Sequence, residues 1–289
     1  MMALQHAKTG IVLGAGVADL VHSGFLVGAV LILLTTGAAL LPDLDMPRST
    51  AARAFGPLSR VTAQGIGRVG VALYTATATR YDRPCRDGHR AITHTVVFAV
   101  ALGAGVAALD AVGGRWALLG TVFVLSSLAV RGITAPRPQR KQPGPLARLA
   151  ARLFAEQTRR RAHRFHSNAI SVSLYAAALT LATYATVPQV NPLLVGACVA
   201  LGCWTHCLGD SCTLDGCPWL FPLVIKGRRW YPIGTPRRLR FRTGGEGGGE
   251  RRFGVALNMI ATVLVVLMAM PLATSVGTEV RTVVATPPH

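Results

Sequence analysis

A histidine and an aspartate at the end of the apolar segment 193–210 have a spacing that suits metal binding. His206 and Asp210 are four residues apart, and on a helix such residues lie one above the other on the same face. A neutral imidazole and an ionised carboxylate both bind divalent cations. Taken alone, the pair is equally typical of a helix end with a capping aspartate, because short motifs also match by chance.

A second pair of carboxylates follows another apolar run. Asp43 and Asp45 come directly after Pro42, which favours the end of the preceding helix. Two neighbouring carboxylates near a membrane repel each other, and a cation bound between them removes this repulsion. The alternative is that both are solvated loop residues.

Histidines also mark the start of two apolar runs. His89 precedes the run that begins near His94, with Thr93 as a candidate N-cap of that helix. Arg90 between them is either a charge that sets membrane topology or a bidentate anion-binding group. His6 precedes the first apolar run, and by itself it could be incidental.

The composition favours a membrane protein. Of the 289 residues, 51% are hydrophobic and 15% are charged, and the mean hydropathy is +0.43. These values are too apolar for an ordinary soluble domain. The net charge of +18 is also compatible with nucleic-acid binding, so the positions of the charges must decide.

The chain contains seven candidate membrane spans, which predicts an all-α, polytopic helical bundle of about six to seven spans. They are residues 11–21, 25–41, 94–109, 116–130, 169–187, 193–208 and 253–272.

The positive charges alternate between the two sides that these spans define. The segments 42–92, 131–167 and 209–252 hold eight, ten and nine Lys or Arg residues, and few lie in the other connections. The positive-inside rule therefore places these segments and the N-terminus in the cytoplasm of a multi-pass protein of the cell membrane. Nucleic-acid binding does not predict this alternation, so nucleic acid is not an expected partner; the lipid bilayer is.

The same topology brings all four motifs to the cytoplasmic ends of their helices. The mixed imidazole and carboxylate set suits one or two divalent ions, with zinc as the first expectation and manganese or iron as alternatives. The candidate ligands are His6, Asp43, Asp45, His89, His94, His206 and Asp210.

The cytoplasmic segments also predict helices that lie on the membrane surface. In 46–90, Arg53, Arg60 and Arg68 recur at helical spacing opposite apolar residues, as in a basic amphipathic helix, although glycines weaken this assignment. Residues 146–154 predict a second such helix. We divide the chain into a membrane-embedded domain (1–243), a Gly-rich linker (244–252) and a C-terminal span with its tail (253–289).

These motifs, in this order, resemble the YdjM-type family of bacterial inner-membrane proteins. The resemblance is carried by residues 40–47 (LLPDLDMP), 88–95 (GHRAITHT) and 206–213 (HCLGDSCT), together with His6. It implies a metal-dependent hydrolase and the same seven ligand candidates. Met46 stands where the family usually has a histidine, and Ala91 where it usually has a glycine.

We therefore expect an enzyme in which a metal-activated water attacks an anionic substrate at the cytoplasmic membrane surface. The many arginines favour a phosphate ester, including a lipid. Asp45 or His94 would transfer protons and Arg90 would bind the substrate, so these three are the candidate catalytic residues.

Non-enzymatic functions remain as alternatives: a metal or ion transporter, a metal-stabilised scaffold, or a basic membrane protein that binds DNA through residues 131–167. The spacing of Cys203, Cys207, Cys212 and Cys217 predicts reduced, packed thiols, with a thiolate metal site as the lesser alternative. His163 and His166 are expected to belong to the basic cytoplasmic face, with an extra ligand pair or a substrate contact as the alternative.

Overall fold

The protein is all-helical in the part of the chain that the computed structural model describes, which is residues 3–85, 88–135, 171–184, 190–243 and 248–285. This confirms the predicted fold class. The helices are α1 (Ala3–Leu20), α2 (Phe25–Ala38), α3 (Pro57–Thr77), α4 (Val96–Ile133), α5 (Ser171–Tyr184), α6 (Pro192–Ser211) and α7 (Gly249–Ala285).

Helix α4 is a hairpin of two helical arms. Gly114 has φ 56° and ψ −142°, outside the helical region, a conformation that glycine adopts without a Cβ clash. The Thr121 hydroxyl donates a 3.0 Å hydrogen bond to Asp110 across this turn. In a straight helix these residues would be about 16 Å apart along the axis, so the chain reverses direction between the two predicted spans 94–109 and 116–130.

Four helical stretches are long and apolar enough to cross a membrane. They are Phe25–Asp45, Val96–Ile133, Pro192–Ser211 and Gly249–Ala269. Helix α5 has 14 residues and is apolar but shorter, about 21 Å in length against a hydrocarbon core of about 30 Å. The membrane character is confirmed, and the count of six to seven spans stays a prediction.

The helices of the bundle approach one another closely at glycines. A Cβ on Gly37 of α2 would clash with the Leu125 carbonyl oxygen of α4, and one on Gly103 of α4 would lie 2.5 Å from the carbonyl oxygen of Gly196 in α6. In a bilayer, where the solvent is as apolar as the side chains, such backbone contact is a main source of helix association. Leu31, Leu34, Val122, Val195 and Val199 fill the remaining core.

Helix α3 confirms that segment 46–90 contains a helix, and it packs through small residues that include two of the glycines that weaken the assignment. Its buried residues are Ser59, Ala63, Gly67 and Gly70. A Cβ on Gly70 would contact Gly88 and Ala91, so the glycines let α3 lie against the motif at 88–95. The predicted helix at 146–154 lies outside the described residues.

One difference from the sequence boundaries concerns the start of the C-terminal helix. Helix α7 begins at Gly249, four residues before the predicted start at Phe253. The last part of the glycine-rich segment therefore forms the first helical turn instead of a linker, and residues 244–247 lie outside the described part.

Outside the membrane, Asp82 joins the loop after α3 to the loop between α6 and α7. Its carboxylate accepts hydrogen bonds from the backbone N–H of Thr79 (2.8 Å), Arg229 (3.1 Å) and Trp230 (3.1 Å). The Trp230 ring stacks on Tyr74 of α3 at 4.7 Å. Partial burial raises the pKa of Asp82, but these hydrogen bonds outweigh it and the net pKa is lowered.

Replacing Asp82 with alanine should lower the free energy of unfolding by an amount on the order of 1 kcal/mol, because three backbone N–H donors that join the two loops lose a charged acceptor. The folded-state pKa is depressed, so the contribution is present above a pH of about 4 and is lost as the pH falls through the folded-state pKa. Thermal unfolding of both proteins between pH 7 and pH 3 measures it: the difference should shrink at low pH. Asp215→Ala, at an exposed position, should show no such effect; an equal effect there would contradict this assignment.

Candidate metal centre

Four helix ends meet on one side of the bundle and bring the predicted ligands together. His6 lies in the first turns of α1, the 3₁₀ turn Pro42–Asp45 follows α2, the 3₁₀ turn Ile92–His94 precedes α4, and α6 ends at Ser211. Two groups of side chains have ligand atoms within 4.8 Å of one another: His6, His206 and Asp210, and Asp43, His89 and His94.

The first group is fully enclosed. The rings of His6 and His206 stack with their centroids 3.6 Å apart, and Nε2 of His6 lies 3.4 Å from Oδ1 of Asp210. Neither ring nitrogen of His6 makes a hydrogen bond of good geometry, although the residue is completely buried. An unsatisfied buried polar atom costs about 1–3 kcal/mol, and a bound cation would remove that cost at one nitrogen.

The hydrogen bonds of His206 and His94 define which ring nitrogen carries the proton. Nδ1 of His206 lies 2.8 Å from the Ala39 carbonyl oxygen, which can only accept, so this nitrogen is the donor. The Thr93 hydroxyl donates to Asp45 at 2.6 Å, and its oxygen accepts from Nδ1 of His94 at 2.9 Å. Both neutral rings therefore carry their lone pair on Nε2.

These two Nε2 atoms face each other at 3.2 Å. Two lone pairs at this distance repel unless a cation or a shared proton lies between them. Nitrogens bound tetrahedrally to one zinc ion at about 2.0–2.1 Å are about 3.4 Å apart, so the residues present fit a metal ion. Nε2 of His94 and of His206 also lie 3.6 Å and 3.9 Å from Oδ2 of Asp210.

Asp43 connects the two groups. Its Oδ1 lies 3.6 Å from Nε2 of His206 and 4.0 Å from Nε2 of His94. The side chains of Asp43 and His89 are 19% and 24% exposed, whereas those of the other four grouped residues are 0–2% exposed. A small molecule can therefore approach the centre from the side of Asp43 and His89.

Asp45 orients two of the histidines, His89 directly and His94 through the Thr93 hydroxyl. It accepts hydrogen bonds from Nδ1 of His89 (3.0 Å), the Thr93 hydroxyl (2.6 Å) and the backbone N–H of Arg90 (3.2 Å). Burial lowers the pKa of His89, but the hydrogen bond and charge of Asp45 outweigh it, so the net pKa is raised. Carboxylates that fix a ligand histidine in this way are common behind metal sites.

Arg90 is held by internal contacts. Its φ is +59°, and its Nη2 lies 3.0 Å from Oδ2 of Asp210. Its Nη1 donates to the Thr213 hydroxyl at 3.2 Å and to the Gly216 carbonyl at 2.9 Å. These contacts fix Asp210 and the loop after α6. Most of the hydrogen-bonding capacity of this guanidinium is therefore used to position these neighbours.

The sequence assigned one cap incorrectly and missed several supporting groups. The N-cap of α4 is Thr95, whose hydroxyl accepts from the N–H of Phe98. Thr93 instead bridges Asp45 and His94. Both threonines precede the apolar run, so the sequence alone could not show which of them is the N-cap. The 3₁₀ turn Ile92–His94 gives that position to Thr95. The Ala39 carbonyl that orients His206 carries no sequence signal.

The cysteines behave as packed thiols. All six are free, and the Cys217 thiol donates to the His94 carbonyl at 3.2 Å. Burial raises the pKa of Cys217, and the neighbouring Cys207 thiol raises it further. Neither ligand group found among the described residues contains a cysteine, and the prediction of reduced thiols stays a prediction. His163 and His166 lie outside the described residues.

No curated protein and no solved structure shows significant similarity to this chain. A family model does match, over residues 1–135 and 145–276, and thus over nearly the whole length. That family is described as the YdjM inner membrane protein, in agreement with the apolar helices. The chain belongs to the YdjM inner membrane protein family.

Proposed function

We propose that this protein is a membrane-bound, metal-dependent hydrolase with its site at the cytoplasmic membrane surface. The observation that carries the proposal is the pair of Nε2 atoms of His94 and His206, which face each other at 3.2 Å with both lone pairs directed inward. The nearby carboxylates of Asp43 and Asp210 supply negative charge for a divalent ion. The basic segments favour a cytoplasmic position for this side of the bundle.

Six residues would hold one or two ions, with zinc as the first expectation from the mixed nitrogen and oxygen ligands. His6, His206 and Asp210 form the enclosed group, and Asp43, His89 and His94 form the more open one. A divalent ion held here would supply an acidified water and polarise the bond under attack. Nothing in the ligand set requires a redox-active metal.

The remaining residues orient this centre. Asp45 keeps His89 and His94 in the tautomers that leave Nε2 available. Its three hydrogen bonds suit positioning better than the proton transfer that we expected from sequence. Asp43 is the more exposed carboxylate, so it is the better candidate to accept a proton from a reacting water.

An anionic substrate fits a cleft beside the candidate centre. The cleft has a volume of about 460 Å³ and lies between α3 and the turn at Asp45, and Gln64 and Arg68 of α3 line it. An arginine in a cleft whose wall also contains Asp45, the residue that orients His89 and His94, favours a phosphate ester, because guanidinium groups match phosphate geometry. A lipid phosphate at the membrane surface is one such substrate.

A phosphatase and phosphodiesterase assay tests the proposal. Detergent-purified protein, loaded in turn with zinc, manganese or iron, would be incubated with nitrophenyl phosphate, its diester and phosphatidic acid in mixed micelles. We expect metal-dependent turnover that falls by about 100-fold or more in His94→Gln. His22→Gln, at an exposed histidine outside both groups, should leave it unchanged. Activity that survives His94→Gln, or no turnover of any ester with any metal, would contradict the proposal.

A metal-stabilised scaffold is the second candidate, and the enclosure of the first group favours it. Structural metal sites are closed, whereas catalytic sites keep a position open. If chelation unfolds the protein while no ester is hydrolysed, the scaffold function is correct. The position of the candidate ligands at helix ends argues against a transporter, whose sites lie near the bilayer midplane.

A further inference from the structure

A second, strongly basic pocket lies beside the end of α6, outside the His/Asp centre. Its volume is about 830 Å³. Four arginines line it, at positions 238, 240, 242 and 252, together with Phe241 and Phe253. None of the six candidate metal ligands contributes to its wall.

The walls of this arginine pocket are tied to two helices. The backbone N–H of Phe241 donates to the Cys212 carbonyl at the end of α6 (3.1 Å). The Phe241 and Phe253 rings lie 5.7 Å apart, which joins the same extended segment to the first turns of α7. The pocket is therefore formed by fixed elements of the bundle.

One arginine is already oriented by the backbone. Nε of Arg240 donates to the Thr235 carbonyl at 2.6 Å, and its guanidinium packs over Gly234, where a Cβ would lie 2.8 Å from the guanidinium carbon. An oriented guanidinium loses little entropy when an anion binds, so its hydrogen bonds are gained at low cost.

The described residues that line the pocket include four arginines and no aspartate or glutamate. Like charges gathered in one cavity repel each other, and a bound anion converts this repulsion into attraction. Guanidinium groups bind phosphate oxygens in bidentate pairs, so a phosphate group is the matching anion.

The position of the pocket suggests where the phosphate comes from. Helix α7 begins at the pocket, and Gly249–Ala269 is apolar enough to cross a membrane. The start of a span lies at the level of lipid headgroups, and anionic headgroups attract basic residues there. Leu239, also in the wall and 68% exposed, offers an apolar contact beside the charges.

We infer that this pocket binds a phosphate group, carried by the headgroup of an anionic phospholipid or by a soluble phosphate compound. The inference does not rest on the proposed hydrolase function. It concerns residues that are separate from the metal candidates, and the two can fail independently.

Binding to the purified, full-length protein in a neutral detergent tests the inference. Native mass spectrometry would measure adducts with phosphatidylglycerol, with phosphatidylcholine and with inorganic phosphate. We expect the double variant Arg238→Gln/Arg242→Gln to weaken binding of the phosphate-bearing anion by at least about tenfold, since both substitutions remove charge-assisted hydrogen bonds to the phosphate oxygens. Arg252→Gln alone provides a second, independent variant of the pocket.

The matched control is Arg53→Gln/Arg60→Gln, which removes the same charge from exposed positions on another segment. Selective loss of phosphatidylglycerol in the pocket variants identifies a phospholipid. Selective loss of inorganic phosphate, without preference for the lipid, identifies a soluble ligand. Equal binding of phosphatidylcholine, an equal loss in the control, or no loss in either pocket variant would overturn the inference. Metal content should be the same in all variants.

Discussion

Asp210→Asn should reduce metal affinity by about 100-fold or more, since even residues behind a metal ligand contribute about 10–100-fold. Its carboxylate lies within 4 Å of the Nε2 atoms of His6, His94 and His206. Asparagine has nearly the same volume and its amide oxygen still accepts from Arg90, so the fold should persist. Titration with zinc, followed by removal of unbound ion and elemental analysis, measures the effect.

Asp215→Asn is the matched control for this change. Asp215 lies 3.8 Å from the same guanidinium of Arg90, but its side chain is 85% exposed and it belongs to neither ligand group. Its replacement should leave metal affinity unchanged. Equal metal affinity in Asp210→Asn and the wild-type protein would show that the first group does not bind an ion.

Gly10→Ala should destabilise the protein by about 1–3 kcal/mol, the usual cost of overpacking a close contact. A Cβ at this position would lie 2.6 Å from Cα of Thr36 and 2.8 Å from the Thr35 carbonyl oxygen, both backbone atoms of α2. Helix α1 must then move away from α2. Since His6 lies four residues before Gly10 on the same face, metal affinity should fall together with the thermal midpoint.

Gly16→Ala tests whether the effect comes from the contact. Gly16 lies in the same helix, and a Cβ at this position would have no neighbouring atom within 4 Å. Its replacement should be neutral or slightly stabilising, because alanine favours helix by up to about 1 kcal/mol. If both substitutions destabilise α1 equally, the close packing of α1 on α2 is not what positions His6.

The sequence predicted the order of the helices and the meeting of the motifs. The glycine pair before Arg115 is a local signal and produces the expected turn, whereas α1 begins at Ala3 instead of near residue 11, and α2 ends at Ala38, before Pro42. The convergence of His6, Asp43, His94 and His206 followed from the distribution of positive charge, which depends on the membrane and not on any pairwise contact.

The individual roles could not be predicted, because they depend on contacts between distant segments. Asp43 and Asp45 look equivalent in sequence. In the structure Asp43 faces His206, whereas Asp45 accepts hydrogen bonds from His89 and Thr93. The tautomer of His206 depends on a backbone carbonyl 167 positions away. The glycines of α3 weakened a helix assignment because their use as a packing face is visible only when the partner segment is known.

Arg90 shows the same limit. Its sequence position suggested either a positive charge that sets the membrane topology or an anion-binding group. In the structure it contacts Asp210, Thr213 and Gly216. Conversely, the arginines at 238–252 were counted only as part of a basic segment. Their shared pocket depends on the backbone hydrogen bond between Phe241 and Cys212, which joins segments 29 residues apart.

Metal analysis of the purified wild-type protein beside His206→Ala and Asp43→Ala tests the central claim most directly. The two residues belong to different ligand groups and come from different helix ends. We predict bound ion in the wild-type protein, in stoichiometric amount, and a clear loss in both variants while they remain folded, with His22→Ala unaffected. Wild-type protein that holds no ion even after loading with zinc or manganese, or two variants that keep the full amount, would contradict the proposed metal centre.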